Sequence, residues 1–143
     1  MANKTAIIDS DMSLEQKVTG LLLCVGHERH VQMTRLIQHT GVSLLQLGLL
    51  HALDYAPEEG LTVNQLKALM IDDSPNVSRA LNKLVAAGLA VKQRSDADQR
   101  VVFLKITDAG RQTHQDADSS LMNMQLGLDA AEQQQLFDLL KKL

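Results

Sequence analysis

Several features typical of secreted, membrane-spanning and disulfide-stabilised proteins are missing from this sequence of 143 residues. Its single cysteine, Cys24, cannot form a disulfide within the chain, which favours a reducing compartment. No apolar run approaches the ~20 residues that a membrane-spanning helix needs, and the N-terminus has no apolar segment of signal-peptide length. We therefore expect a cytoplasmic protein that has no membrane partner.

The sequence also has no pattern typical of a catalytic or cofactor site. It contains no glycine-rich phosphate loop and no plausible pairing of a nucleophile with a base, and its five histidines are scattered. His27 and His30 are one helical turn apart and could share a metal ion, but scattered histidines are more often solvated or packed in a core. We predict that the chain is not an enzyme and that it carries no metal or other cofactor.

Basic charge is concentrated in one stretch of an otherwise acidic chain. The formal net charge is −3, yet residues 74–111 hold seven Lys or Arg against three Asp, and the remainder holds 7 basic against 14 acidic side chains. A local excess of positive charge on an acidic protein is typical of a surface that binds a polyanion. The acidic remainder of the chain then has a different role.

Signals for the start of a helix recur along the chain. The first helix can extend from Ser13 to Gly41, about 40 Å, and its apolar stripe is longer than so small a domain can cover. We therefore expect a second subunit to cover it. We expect residues 1–12 to form either a flexible arm or an extension that contacts a partner. Capping boxes, in which a Ser or Thr is followed three residues later by Gln, occur at Ser13, Ser43 and Thr62, and the last helix is expected to begin at Asp129.

The basic stretch has the element order of a helix-turn-helix followed by a β-hairpin. A short helix beginning at Thr62 precedes a second helix, in which Pro75 occupies the first helical position and Gly88 ends the helix. Strands are predicted at residues 89–94 and 101–106, and the six-residue loop between them should project into solvent. The predicted fold class is mainly α with a small β-hairpin wing, a winged helix-turn-helix flanked by N- and C-terminal helices.

The second helix of this unit carries side chains that can bind DNA. An α-helix fits the major groove, where Arg can contact guanine with two hydrogen bonds, Asn can pair with adenine, and hydroxyl groups suit phosphates. We expect Arg79 to contribute most to base recognition. The alternative is that these are ordinary solvated residues of an amphipathic helix. The candidates are Ser74, Asn76, Ser78, Arg79, Asn82 and Lys83.

The wing adds three further candidates, Arg94, Asp98 and Arg100. A carboxylate beside two arginines suits a DNA-binding wing if it orients a guanidinium before binding. Arg100 is then available for a narrow minor groove, where the potential is most negative. The alternative is a hairpin turn stabilised by a surface ion pair. Because the wing adjoins the candidate helix, the two together favour DNA binding.

Residues 72–110 resemble the multiple-antibiotic-resistance regulator (MarR) family of winged helix-turn-helix transcription factors. The resemblance rests on Asp98-x-Arg100 in the wing and on Leu104-x-Ile106-Thr107-x-x-Gly110 after it, and it extends over nearly the whole chain. It implies a single domain, 1–143, in which residues 1–42 and 108–143 are dimerisation helices and residues 43–107 form the DNA-binding lobe.

The family resemblance also implies how such a protein works. It implies a homodimer whose two recognition helices bind a pseudo-palindromic operator in double-stranded DNA, with repression relieved by a small ligand or an oxidant. It implies that Arg100 enters the minor groove and that Asp98 holds the wing in shape. The chain has only three aromatic residues, Tyr55, Phe103 and Phe137, which disfavours a phenolic effector held by ring stacking.

Two other functions remain open on the sequence. One is a winged-helix protein that binds other proteins rather than DNA, which the acidic remainder of the chain allows. The other is redox sensing by Cys24, which lies in the first helix as the sensing cysteine does in peroxide-responsive members of the MarR family. A reactive cysteine needs a neighbour that stabilises its thiolate, and the flanking sequence matches the family's sensing site poorly. A small buried apolar residue is the favoured interpretation of Cys24.

Overall fold

The computed structural model describes residues 4–70 and 75–143, and within them it has seven α-helices and three short strands. The element order is that of a winged helix-turn-helix with helices at both ends, which confirms the predicted fold class. The helices are α1 (Lys4–Ile8), α2 (Leu14–Ile37), α3 (Leu44–Asp54), α4 (Val63–Met70), α5 (Pro75–Ala86), α6 (Asp108–Leu121) and α7 (Ala130–Leu140), and the strands are β1 (Leu61–Thr62), β2 (Ala90–Arg94) and β3 (Val102–Ile106).

Local capping chemistry determines most of the helix starts. At the start of α2 the Ser13 hydroxyl accepts from the Gln16 amide at 3.3 Å, and the Gln16 side chain accepts from the Ser13 amide at 3.0 Å. The same reciprocal pair of hydrogen bonds forms at Ser43 and Thr62, and also at Asp129. Each box satisfies N–H groups that a helix start leaves without a partner. The three predicted capping boxes and the predicted helix start at Asp129 are confirmed.

The core lies between the helix-turn-helix, the sheet and α6. The sheet is antiparallel in the order β1-β3-β2, so the central strand β3 pairs with both neighbours and turns two apolar side chains inward. α3 is buried along most of its length, because it packs against α5, β3 and α6. The most deeply buried side chains are Ile37, Leu49, Leu50, Leu66, Val77, Leu81, Leu84 and Leu104.

The N-terminal arm differs from the expectation of a flexible extension. Lys4–Ile8 is helical, and Ile7 is buried against Gly20 of α2, where an added Cβ would lie 3.3 Å from the Ile7 side chain. A five-residue helix is not stable alone. The expectation of a flexible arm is wrong for these residues, because packing against α2 buries Ile7. The alternative of an extension that contacts a partner stays a prediction.

Two helices at the ends of the chain have apolar side chains that the single chain leaves exposed. Leu14 and Leu23 of α2 are 78% and 67% exposed, and α7 has no buried residue at all, with Phe137 57% exposed. None of the described helices is both long enough and apolar enough to cross a membrane. α2 and α7 therefore present an uncovered apolar surface of the kind that binds another protein surface.

Candidate nucleic-acid interface

The amphipathic helix α5 turns one face to the core and the other to solvent. Val77, Leu81 and Leu84 are at most 1% exposed, because they repeat at the spacing that aligns residues along one side of a helix. The opposite side presents the predicted DNA-binding residues Asn76, Arg79, Asn82 and Lys83 as exposed side chains, with Ser78 half-buried at the edge. Ser74, the remaining candidate on this segment, lies outside the described residues.

A hydrogen bond joins the candidate helix to the wing. Lys92 of β2 donates from Nζ to the Asn82 side-chain oxygen at 2.9 Å. Asn82 was predicted to contact bases, yet its acceptor atom already has a partner within the protein. Lys92 was not among the predicted site residues, although a basic residue in the middle of a wing strand could have been recognised from the sequence. This hydrogen bond links β2 to the exposed face of α5.

The exposed face of α5 also borders the beginning of α3. Asn76, Arg79 and Lys83 line a cleft whose other wall includes Ser43 and Gln46. The Ser43 and Gln46 side chains are occupied by the capping box of α3, so they do not compete for the basic side chains across the cleft. Two cationic side chains are therefore directed along one open surface groove.

The wing loop is held in shape by two side chains rather than by an ion pair. The Ser95 hydroxyl accepts from the amides of Ala97 at 3.2 Å and Asp98 at 3.3 Å, and the Asp98 carboxylate accepts from the Arg100 amide at 2.9 Å. Short polar side chains stabilise turns in this way by replacing a backbone acceptor. Asp98 therefore contacts the main chain, and the prediction that it orients a guanidinium is wrong. Ser95 was not among the predicted site residues.

The two wing arginines are exposed, and their guanidinium groups form no ion pair with a carboxylate among the described residues. In residues 4–70 and 75–143 neither Arg94 nor Arg100 has an ion-pair partner. The alternative prediction, a turn stabilised by a surface ion pair, is therefore wrong. Arg94 shares a groove with Glu58 and Glu59 at the base of the wing. Arg100 lies on the loop itself, where the Asp98 carboxylate contacts its backbone amide and not its guanidinium.

The segment after the wing attaches the lobe to the C-terminal helices. The Thr107 hydroxyl donates to the Gly88 carbonyl at 2.7 Å and accepts from the Gly110 amide at 3.0 Å, thereby capping α6. A Cβ on Gly110 would lie 2.1 Å from the Leu89 carbonyl oxygen, so only glycine permits this approach. The pattern Leu104-x-Ile106-Thr107-x-x-Gly110 thus has a packing explanation that is independent of DNA.

Cys24 is buried in α2, with 5% of its surface exposed. Burial restricts the access that an oxidant needs. The environment of Cys24 therefore favours the interpretation as a small apolar residue over the interpretation as a redox sensor.

Comparison with known sequences gives the same assignment as the geometry. The HTH-type transcriptional regulator BilQ of Clostridium symbiosum is 30% identical over 112 residues, which are 75% of this chain and 76% of BilQ. The chain belongs to the MarR family. A sequence profile of that family matches residues 40–101, which include α3, α4, α5 and the wing loop. The MarR-family match therefore covers the segment that carries the basic face.

A second relative and three solved structures extend the comparison. The uncharacterised HTH-type regulator YdgJ of Bacillus subtilis is 28% identical over 108 residues, 73% of this chain, and the match spans 65% of YdgJ. A putative MarR-like transcription regulator from Bacillus cereus superposes with a TM-score of 0.80 at 19% identity, covering 90% of this chain and 94% of that one. The relatives are regulators of transcription, in agreement with the prediction that the chain is not an enzyme.

The other two structures contain bound molecules. CouR from Rhodococcus jostii, bound to p-coumaroyl-CoA, has a TM-score of 0.73 at 21% identity and covers 92% of this chain and 94% of CouR. A mutant of MepR from S. aureus, bound to an oligodeoxyribonucleotide, has a TM-score of 0.62 at 21% identity and covers 87% of this chain and 94% of MepR. At these identities the structures establish a shared MarR fold.

Proposed function

We propose that this MarR-family chain is a homodimeric, sequence-specific DNA-binding regulator of transcription in the cytoplasm, and that it acts as a repressor released by a small ligand. The single observation that carries the proposal is the exposed face of α5, where Arg79 and Lys83 lie in an open groove while the other face packs in the core. A helix presented in this way can enter the major groove of DNA.

The wing supplies the second part of the DNA contact. Arg94 and Arg100 are exposed and, among the described residues, unpaired with any carboxylate. Ser95 and Asp98 restrain the loop that carries Arg100, so less conformational entropy is lost when the wing meets DNA. We propose that Arg100 binds the minor groove and that Asp98 maintains the loop without contacting DNA.

The exposed apolar helices support a second copy of the chain as the partner. α2 and α7 come from opposite ends of the sequence, and both are amphipathic helices with large uncovered side chains, including Leu23 and Phe137. A two-fold dimer through these helices would present two α5 helices to the two halves of a pseudo-palindromic operator. The oligodeoxyribonucleotide bound to MepR supports DNA as the ligand of the shared fold.

A small molecule is the favoured effector. CouR, which has the same fold, is bound to p-coumaroyl-CoA, and the burial of Cys24 makes an oxidant the weaker alternative. The small number of aromatic side chains disfavours a pocket based on ring stacking, so we propose an effector recognised mainly by polar and aliphatic contacts.

The test is selection of double-stranded DNA from random sequence by the full-length protein, followed by gel-shift titration at several salt concentrations. We expect one enriched motif with two related half-sites, bound at least ~10³-fold more tightly than a scrambled duplex, with affinity that falls steeply as salt rises. Enrichment of no motif, together with equal binding of selected and scrambled duplexes, would contradict the proposal. It would favour the alternative of a winged-helix protein that binds other proteins.

A further inference from the structure

α3 and α6 meet at a cluster of ionisable side chains that DNA binding does not use. His114 of α6 is the buried polar side chain of the described core, only 2% exposed. Its Nδ1 lies 2.9 Å from the Asp54 carboxylate, and its Nε2 lies 3.1 Å from both His51 Nδ1 and the Asp118 carboxylate. Both ring nitrogens of one buried histidine therefore face specific partners from two helices.

The Asp54 carboxylate determines which nitrogen of His114 carries a proton. Arg111 pairs with one carboxylate oxygen of Asp54, and His114 contacts the other. A carboxylate held between Arg111 and His114 accepts from both, so His114 Nδ1 is the donor in its contact with Asp54.

The other nitrogen of His114 then faces atoms that also carry lone pairs. In the neutral imidazole with a proton on Nδ1, Nε2 is an acceptor, and the Asp118 carboxylate can only accept as well. His51 Nδ1 and the Asp118 carboxylate thus both lie 3.1 Å from an atom that can offer a lone pair, which is how ligand atoms are arranged around a metal ion.

We propose that His51, His114 and Asp118 bind one divalent metal ion of the zinc class. Their three ligand atoms lie within 4.8 Å of one another, and tetrahedral zinc with bonds of ~2.0–2.1 Å places its ligands roughly 3.3–3.4 Å apart. Two imidazole nitrogens and one carboxylate oxygen favour Zn²⁺ and similar first-row metals over Mg²⁺ or Ca²⁺. A small movement of exposed side chains completes the geometry.

The surroundings of the cluster have the features of a metal site. The contact of Asp54 with His114 Nδ1 is the carboxylate–histidine arrangement that orients a metal-binding imidazole and raises its basicity. His114 and Asp118 are four residues apart on α6, and so lie on the same helical face. The His51 ring packs against Tyr55 at 4.9 Å between centroids. His51 is exposed and the Asp118 side chain is 47% exposed, so solvent can deliver an ion and a water ligand.

The sequence analysis predicted no metal site, and the only spacing there that is compatible with a shared metal ion is that of His27 and His30. The proposed site uses neither of these two histidines. His27 and His30 of α2 are both outside the core, and the structure does not bring them into a group of three ligands within its described residues. They therefore provide a matched control, because they are histidines of the same chain that would bind metal only adventitiously.

The test is titration of the metal-free full-length protein with Zn²⁺ against a chromophoric chelator, without DNA, so that its outcome is independent of the proposed DNA binding. We expect one Zn²⁺ per chain. His51→Gln and Asp118→Asn should each weaken binding at least ~10-fold, and Asp54→Asn, which acts through His114, should weaken it roughly 10–100-fold. The double variant His27→Gln/His30→Gln should bind one Zn²⁺ with unchanged affinity, and Mg²⁺ should not compete.

Two further measurements keep the result decisive. Circular dichroism of each metal-free variant verifies that it is folded, and Co²⁺ in place of Zn²⁺ should give visible absorption bands of a nitrogen- and oxygen-ligated tetrahedral site, lost in His51→Gln. The proposal is overturned if less than one Zn²⁺ binds per chain at micromolar concentrations. It is equally overturned if His27→Gln/His30→Gln, rather than His51→Gln, removes the binding.

Discussion

At the scale of single residues, the wing loop separates side chains that can contact DNA from side chains that position them. Arg100 is exposed and free to bind, whereas Asp98 uses a carboxylate oxygen to hold the Arg100 amide at 2.9 Å. The acid beside the arginines therefore does not neutralise them in this conformation. It limits how far the loop can move, and that role needs an acceptor atom rather than a negative charge.

This distinction predicts opposite results for two substitutions of Asp98. Asp98→Ala removes the acceptor and should weaken DNA binding by about 0.5–1.5 kcal/mol, the usual net contribution of one hydrogen bond. Asp98→Asn keeps an acceptor oxygen and removes a charge that repels phosphate, so its affinity should equal or exceed that of the unsubstituted protein. Gel-shift titration of the selected operator measures both. Equal loss in the two variants would show that the charge itself is required.

Arg79 and Lys83 are expected to contribute to DNA binding in different ways. Arg79→Ala should cost ~1–3 kcal/mol on the selected operator and relax its base preference, because a base-edge contact is lost. Lys83→Ala should weaken binding to all duplexes similarly and reduce the salt slope by about one, as for a phosphate contact. Repeated selection and salt titration compare them. Arg35→Ala, an exposed arginine of α2, is the matched control and should change neither quantity.

At the scale of elements, the wing and α6 are joined by a close backbone contact. Gly110 lies in the first turn of α6, where an added Cβ would be 2.1 Å from the Leu89 carbonyl oxygen and 2.8 Å from the Ile106 side chain. The first of these atoms belongs to the backbone and cannot move aside cheaply. The angle at which α6 leaves the sheet therefore depends on glycine at this position.

Gly110→Ala should lower the free energy of unfolding by about 1–3 kcal/mol, as overpacking does in a tight site. Helix propensity alone would predict the opposite sign, because alanine is favoured over glycine in helices by about 1 kcal/mol. Ala109→Gly at the neighbouring exposed position is the control, and should cost no more than about 1 kcal/mol. Urea unfolding monitored by circular dichroism measures both. A Gly110→Ala variant as stable as the unsubstituted protein would contradict the contact.

At the scale of the whole molecule, a single copy of the chain covers the apolar surface of one lobe and leaves that of two other helices exposed. α3, α5 and β3 supply a closed core for the helix-turn-helix lobe, whereas α2 and α7 keep large apolar side chains in water. An isolated copy would expose Leu23 and Phe137 permanently, and burying such surface is the main gain of an obligate interface. We therefore expect the two helices to be covered in a dimer.

Leu23→Glu should convert the dimer to a monomer, because two carboxylates would be buried at the interface without partners, at a cost of several kcal/mol. Size-exclusion chromatography with light scattering measures the mass, and loss of operator binding should accompany the loss of dimer. The control is Leu69→Glu, a comparably exposed leucine, 56%, on α4 of the other lobe. It should leave the mass unchanged. A monomeric unsubstituted protein, or a dimeric Leu23→Glu variant, would refute this arrangement.

Much of the fold could be predicted because its signals are local. The four capping boxes and the stop at Gly88, which has a φ of 71°, depend on atoms no more than a few residues apart. The pairing of β2 with β3 follows from a short connection between two β-rich segments. The exposed positions of Arg79 and Lys83 follow from the helical period once the apolar face of α5 is known.

The candidate site was predicted less completely, and the errors share a cause. Asp98 was expected beside a guanidinium but contacts a backbone amide, and Asn82 was expected to face bases but accepts from Lys92. Residue types restrict which hydrogen bonds are available, yet they do not specify which available partner is nearest. That choice depends on loop conformation and on the packing of one element against another.

Capping, periodicity and charge act within short stretches of chain, so the amino-acid order is enough to specify the element order, the helix starts and the position of the basic segment. The contact of His51 Nδ1 with His114 Nε2, 63 residues away, is visible only in the packed structure. The same is true of the contact by which Asp54 orients His114. Such contacts arise where helices cross, and the geometry of a crossing is a property of the packed core as a whole.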